Sequence, residues 1–493
     1  MAFKRSIAVL GAFALAPAAV AKNRPIPQPA CDGTKSVDIR YSGASKRLYV
    51  EGAGGVRGGC VTLSQIYETR VGKPPLYPVN PVSGARTTNV TGTWLLTESL
   101  HVEDGITLNV HGGSTGDADE LRLLSNADGF IEFRAHGASL SFRDTKVVSW
   151  DETAGDYDRN VTDGRSFITV ISEVMTDNRT CVGMAMKSMG EARMDIVKSE
   201  MGFLGYYDSE SYGLTWKVRG FCADKSNPEV FDDVNVYGNI YDSDIHHNYF
   251  GVYTYGHQQG DWRRNKMHHN IQYGFDPHDD SDYLNIHDNE VWRNGNHGII
   301  ASKRCNHVSI QNNEVYDGGQ AGLFLHRSTD HATVIGNYVH GNADAGLALL
   351  ESFNADVSDN VFQDNTYGIR MSVGSANNMF SYNDILDSVK YNCYTYMGTD
   401  LPYVAATGRV LNNKFVGNTL SGGRETIKLK ESSGTLFENN SFTDATVIRL
   451  DDADAIMKNN TGLRGVEMKT VAGGCFDLNS DPGFRPTCAQ PSV

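Results

Sequence analysis

Two in-phase residue series limit what this chain can fold into. Asn265, Asn289, Asn313, Asn337, Asn360 and Asn383 recur at intervals of 24, 24, 24, 23 and 23 residues. Gly251, Gly274, Gly298, Gly322, Gly346 and Gly368 recur at 23, 24, 24, 24 and 22. A period of ~20–30 residues made of short strand-like runs, without helix-spaced apolar residues, marks a solenoid. Leucine-rich repeats are excluded, because no leucine pattern and no helical segment completes each repeat. The period predicts an all-β, right-handed parallel β-helix with coils of about 24 residues. The asparagines are expected to stack as a hydrogen-bonded ladder at a turn.

Strand parity sorts the faces of the central coils. Phe275, Ile299, Ala301, Leu323, Leu325, Leu347, Leu349, Ile369 and Met371 share one parity and are all apolar, so they should point inward. The opposite parity gives Tyr253 and Tyr255, Asp276 and His278, Ile300 and Ser302, Phe324 and His326, and then Arg370. Just past these strands come His257, the pair Lys303 and Arg304, Arg327, and Glu351. These residues should form an outward ribbon of phenols, imidazoles and cations, one coil above another at ~4.8 Å.

The flanks bound the array. Residues 1–21 read as a secretory signal, with Lys4 and Arg5, an apolar run from Ile7 to Ala14, and Ala19-Val20-Ala21 as a cleavage site. Residues 22–92 are expected to form an N-terminal cap, 93–461 the β-helix, and 462–493 a C-terminal cap. Asn413 and Asn440 are expected to continue the ladder after Asn383. The mature chain keeps eight cysteines, an even number that favours disulfides on an exported chain. Cys31 with Cys60 and Cys475 with Cys488 are the expected staples at the two ends. Sequons at Asn89, Asn160, Asn178, Asn439 and Asn459 point to a eukaryotic secretory route, a glycoprotein and an extracellular or cell-wall location. No stretch beyond the signal could span a bilayer, so no membrane association is expected after cleavage.

The formal charge is −15, from 44 Lys and Arg against 59 Asp and Glu, which argues against nucleic acid as a partner. An anionic partner then requires the basic residues to gather locally, since local potential governs capture.

The central coil departs from its neighbours. Where they carry Gly298-Ile299-Ile300-Ala301 or Gly322-Leu323-Phe324-Leu325, it reads Tyr273-Gly274-Phe275-Asp276-Pro277-His278. A proline inside a strand run belongs at an end, an edge or a bulge. A carboxylate two residues from an imidazole shares its face, which is a usable acid/base arrangement. The pairs His246-His247 and His268-His269 look like metal ligands, but adjacent strand residues face opposite ways, so no metal site is expected.

Residues 273–278 resemble the Tyr-Gly-Phe/Ile-Asp-Pro-His signature of the mannuronan C5-epimerases at every position. The flanking runs Phe250 to Gly256, His297 to Ser302 and Glu210 to Thr215 are also similar to the family, and the resemblance covers roughly residues 95–385. It implies conversion of mannuronate to guluronate within alginate by C5 proton removal and return. With the sequons, it also implies a brown-algal source. His278 is expected as base or acid, Asp276 as its orienting group, and Tyr273, Tyr255 or water as the opposite partner. Tyr273 shares the inward parity of Phe275, so a bend is needed to bring it to substrate. Lys303 or Arg304, with Arg327, is expected to neutralise the substrate carboxylate; the bacterial branch has Arg where Lys303 falls. Tyr255, His257, Ser302, His326, Arg327 and Arg370 are the expected substrate contacts.

No cofactor is expected to be required, with calcium admitted as an accessory, and the chain is expected to act as a monomer on polymannuronate. Two other readings remain open. One is β-elimination by an alginate lyase on the same scaffold, and the other is a non-catalytic polyuronate-binding wall protein. A glycoside hydrolase needs two carboxylates across one bond, and Asp276 and Asp279 do not share a face by parity.

Overall fold

The computed structural model describes residues 37–175, 187–188, 190–208, 210–219 and 234–477. Residues 1–21, expected as a signal, and Cys31, Cys181, Cys222, Cys488 and Asn178 lie outside the described residues.

The chain winds as a parallel β-helix with three short strands per central coil. One series, here called the groove strands, comprises Phe250–Tyr255, Phe275–Asp276, Ile299–Ser302, Leu323–His326, Ala345–Leu350, Tyr367–Ser372 and Tyr391–Tyr396. A second includes Asp261–Arg263, Asn285–His287 and Ser309–Gln311. A third includes Lys266–His268, Glu290–Trp292 and Glu314–Tyr316. Each strand pairs in parallel with its counterpart one coil on.

Register stacks like residues over like. Phe275, Ile299, Leu323, Leu347, Ile369 and Cys393 form one fully buried column, and Ala301, Leu325, Leu349 and Met371 form another. The inward parity is therefore as expected. Each buried aliphatic side chain contributes ~1.5–3 kcal/mol relative to exposure.

The asparagine series forms the expected ladder. Asn265 Nδ2 donates to Asn289 Oδ1 at 2.9 Å, Asn289 to Asn313 at 2.9 Å, and Asn313 to Asn337 at 3.0 Å. The same Oδ1 atoms accept the backbone N–H of the preceding asparagine. The residue before each of these, Arg264, Asp288 and Asn312, has φ of 53°, 55° and 52°. This left-handed corner leaves backbone groups unpaired, and a side chain that both donates and accepts closes them, an amide from Asn265 onward and the Ser243 and Ser199 hydroxyls in the preceding coils. Asn313→Ala removes the acceptor for both Asn289 donors. It is expected to cost at least ~1–3 kcal/mol for each group left buried without a partner, read as a fall in thermal midpoint.

The glycine series has a different cause. A Cβ on Gly274 would lie 2.4 Å from Gly298 O, and one on Gly298 would lie 2.7 Å from Gly322 O. The coils approach too closely there for a side chain.

Three expectations change. After Asn383 the ladder runs to Asn418, Asn440 and Asn460. Asn413 instead pairs with Asn378 in the neighbouring column. The step from Asn383 to Asn418 is 35 residues because the turn between Tyr391–Tyr396 and Val410–Leu411 carries a long loop. Coil stacking also begins before residue 93 and runs past 461. Arg47–Gly52 and Gly59–Thr62 pair in parallel with Ser99–Val102 and Ile106–His111. Glu467–Val471 and Cys475–Asp477 pair in parallel with Val447–Lys458. Finally, Cys305 and Cys393 are buried free thiols, so the even cysteine count does not become four bridges. The expected staples need Cys31 and Cys488, outside the described residues.

Candidate functional site

The central groove strand stops at Asp276, because Pro277 has no N–H to offer the ladder. Pairing resumes as one bridge between His278 and Ser302. Asp279 and Asp280 follow with positive φ of 29° and 55°, so alternation is lost after His278. The turn brings the Asp279 carboxylate to 2.5 Å from His278 Nδ1, a close but bent approach.

This corrects the assignment of the orienting carboxylate, which is Asp279. Parity placed Asp279 on the wrong face because it assumed an unbroken strand. Burial pushes the Asp279 carboxyl up, but the His278 contact and the Lys303 and Arg304 charges outweigh it and hold it below its ordinary range. Asp276 instead lies in register with Tyr253, is 1% exposed, and leaves Oδ1 without a partner. Burial raises its pKa to about 7, with His278 and Lys303 opposing and Asp279 adding to the rise.

That shift has a stability consequence. Between the unfolded pKa of ~3.9 and the folded value of about 7, the folded state binds the extra proton, so stability falls as pH rises through this window. Asp276→Asn removes the titration. Its unfolding free energy relative to the native protein, read from denaturant melts, is expected to rise from pH 4 to pH 7 and level off above, by an amount on the order of a few kcal/mol.

The two candidate cations differ. Arg304 grips Asp280 at 2.9 and 2.7 Å and Asp279 at 3.1 Å, and it is committed to the turn. The Asp280 hydrogen bonds raise its pKa above the ordinary arginine value. Lys303 approaches only Asp279, at 3.9 Å, and its side chain is 35% exposed. Lys303 is therefore the cation that can turn to a ligand.

Aromatic groups form the floor and one wall. The Tyr253 ring lies 5.3 Å from the His278 ring. Burial, then the Asp276 and Asp279 charges, raise its pKa well above the usual phenol value. Burial lifts Tyr255 to about 12, helped by Asp279 and Asp280. Tyr273 does not point into the core. It stands just before the strand, half-buried on the outer surface, edge-on to Phe250 and stacked on His297 at 5.6 Å. The bend it required is supplied at Gly274. Burial raises its pKa as well.

Ser302 is 2% exposed, with Oγ 2.8 Å from His326 Nδ1. Burial and the Arg327 charge lower His326 to about 3, so this imidazole is neutral.

Three expected contacts are placed elsewhere. His257 is fully buried between Trp216 and Trp262, because the chain turns inward after Gly256, whose φ is 74°. Arg327 donates to Leu401 O at 2.9 Å and Asp400 at 3.0 Å and lies over Tyr403, so it anchors the long loop. Fully buried Glu351 holds the same loop by accepting the backbone N–H groups of Tyr403, Val404 and Ala405. Arg370 is four coils from His278 and pairs with Asp344 at 2.7 Å.

Neighbouring histidines do converge, contrary to the alternation argument. His247 and His269 sit at left-handed corners with φ of 55°, and the Nδ1 atoms approach to 2.9 Å in His246-His247 and 2.8 Å in His268-His269. Among the described residues, no three His, Cys, Asp or Glu side chains gather around a common metal position.

Residues 224–354 and 327–408 match the family model described as a right handed beta helix region. The chain is 27% identical over 254 residues to a mannuronan C5-epimerase of Pseudomonas aeruginosa, covering 51% of this chain and 39% of that protein. It is 28% identical over 274 residues to the mannuronan C5-epimerase AlgG of Azotobacter vinelandii, covering 54% and 43%. The chain thus spans about two fifths of the length of these curated relatives. The crystal structure of the periplasmic alginate epimerase AlgG superposes with a TM-score of 0.63 at 20% identity, covering 88% of this chain and 85% of that one. At that identity the superposition shows the shared fold.

Proposed function

We propose that this homologue of the mannuronan C5-epimerases is itself one, acting on polymannuronate as an exported isomerase. The observation that carries the reading is His278, held by Asp279 on the outer face beside Tyr253, with Lys303 free to reach a ligand.

The chemistry follows from those positions. Asp279 occupies Nδ1 and leaves Nε2 to take the proton from C5. The C5–H electron pair moves into the adjacent carboxylate, and Lys303 offsets the added negative charge. A proton must then return to C5 from the opposite face. Tyr253, Tyr255 and Tyr273 all have raised pKa values, so each is a protonated donor at neutral pH. Each can therefore serve as the acid opposite His278 as the base, with water as the other candidate donor. Asp276, whose pKa burial lifts to about 7, carries less negative charge toward a polyanion at neutral pH than an ordinary carboxylate would.

Proton NMR of polymannuronate incubated with the protein tests this. New guluronate signals are expected. Unsaturated non-reducing ends would instead make the reaction β-elimination, and an unchanged polymer that still binds would make the protein a binding module.

A further inference from the structure

The outward row that holds Asp276 continues for many coils. Beside it lie Ile300, Phe324 and Ala348, in register with one another. They form an apolar cluster on the outer surface, flanked by Tyr273 at one end and Tyr367 at the other. The row then reads Arg370, Tyr394 and Lys428.

At that point the surface changes character. Tyr367 stacks on Tyr394 at 5.4 Å and 17°, and Tyr391 sits 5.1 Å from Tyr394. Tyr396 stacks on Tyr394 at 5.1 Å, and its Oη accepts from Arg370 at 2.6 Å. Lys390 Nζ lies 5.2 Å over the Tyr367 ring, and Lys428 Nζ lies 5.3 Å over Tyr391. The nearby arginines and acids pair with each other, Arg370 with Asp344 at 2.7 Å and Arg449 with Glu425 at 2.6 Å. Among the described residues, the two lysines contact tyrosine rings rather than forming ion pairs.

We infer that this tyrosine and lysine platform is a second binding site for the polyuronate, four to six coils from His278. The inference rests on the epimerase reading for the identity of the polymer. Aromatic faces suit the apolar faces of sugar rings, and ammonium groups above them suit the carboxylates. At ~4.8 Å per coil the platform lies roughly 19–29 Å from the imidazole along the helix axis. An oligomer long enough to reach both places binds the second without a further loss of translational freedom, so affinity should rise in a step with chain length. A shorter oligomer gains nothing from the platform while it occupies the site.

The test is titration calorimetry with mannuronate oligomers of graded length. The native protein is expected to show a step of ~10-fold or more once the oligomer spans both places. The double variant Tyr394→Ala with Lys428→Gln should lack the step while keeping the native thermal midpoint. Lys428→Gln alone, on a half-exposed side chain, should reduce the step and covers the case in which the double variant misfolds. A step of native size in the folded variants would overturn the inference. Because the readout is binding, a platform-dependent step without C5 chemistry would sink the epimerase reading and leave the platform standing.

Discussion

His278→Ala should lower turnover of polymannuronate by ~10²–10⁴-fold, the range a positioned acid or base supplies. With Nδ1 facing Asp279, the imidazole presents Nε2 to a substrate on the outer face. Its side chain is 18% exposed and is held from behind by Asp279. The variant should fold normally, since His278 leaves the core columns untouched and the turn is kept by Arg304, Asp279 and Asp280. Initial rates with a thermal melt on the same sample check both halves. Turnover within twofold of native would exclude His278 as the proton acceptor.

Lys303→Met should lower turnover by ~10²–10³-fold, the loss typical when a group that stabilises developing charge is removed. A uronate is already anionic, and removing the C5 proton adds charge to the same carboxylate. Methionine keeps much of the stem and removes the ammonium. Arg304→Ala should behave differently, because that guanidinium is spent on Asp279 and Asp280. Its loss should lower the thermal midpoint and disturb the turn. If Arg304→Ala lost turnover with an unchanged melt while Lys303→Met stayed active, the two roles would be reversed.

Much of this was legible in the residues. Asn265 to Asn383 and Gly251 to Gly368 announced the coil, because the ladder needs a side chain that donates and accepts and the close backbone approach admits no Cβ. Parity placed Phe275, Ile299 and Leu323 inside, because the strands there are regular. The failures cluster where the backbone leaves the strand. Asp279, His257, Tyr273 and the paired histidines all sit at or beside turns, where alternation no longer applies. The choice between Lys303 and Arg304 depended on Asp280, which lies 24 residues away in sequence from its arginine. The loop after Tyr396 displaced the ladder and captured Arg327, a contact across 73 residues that no local pattern encodes.

The proposed reaction removes the C5 proton and returns one from solvent. The direct measurement is proton and deuterium NMR of polymannuronate incubated with the protein in D2O. Guluronate residues carrying deuterium at C5 are expected, absent when His278→Ala replaces the native protein. Guluronate that keeps the original C5 proton throughout, or the same deuterium uptake with His278→Ala, would contradict it.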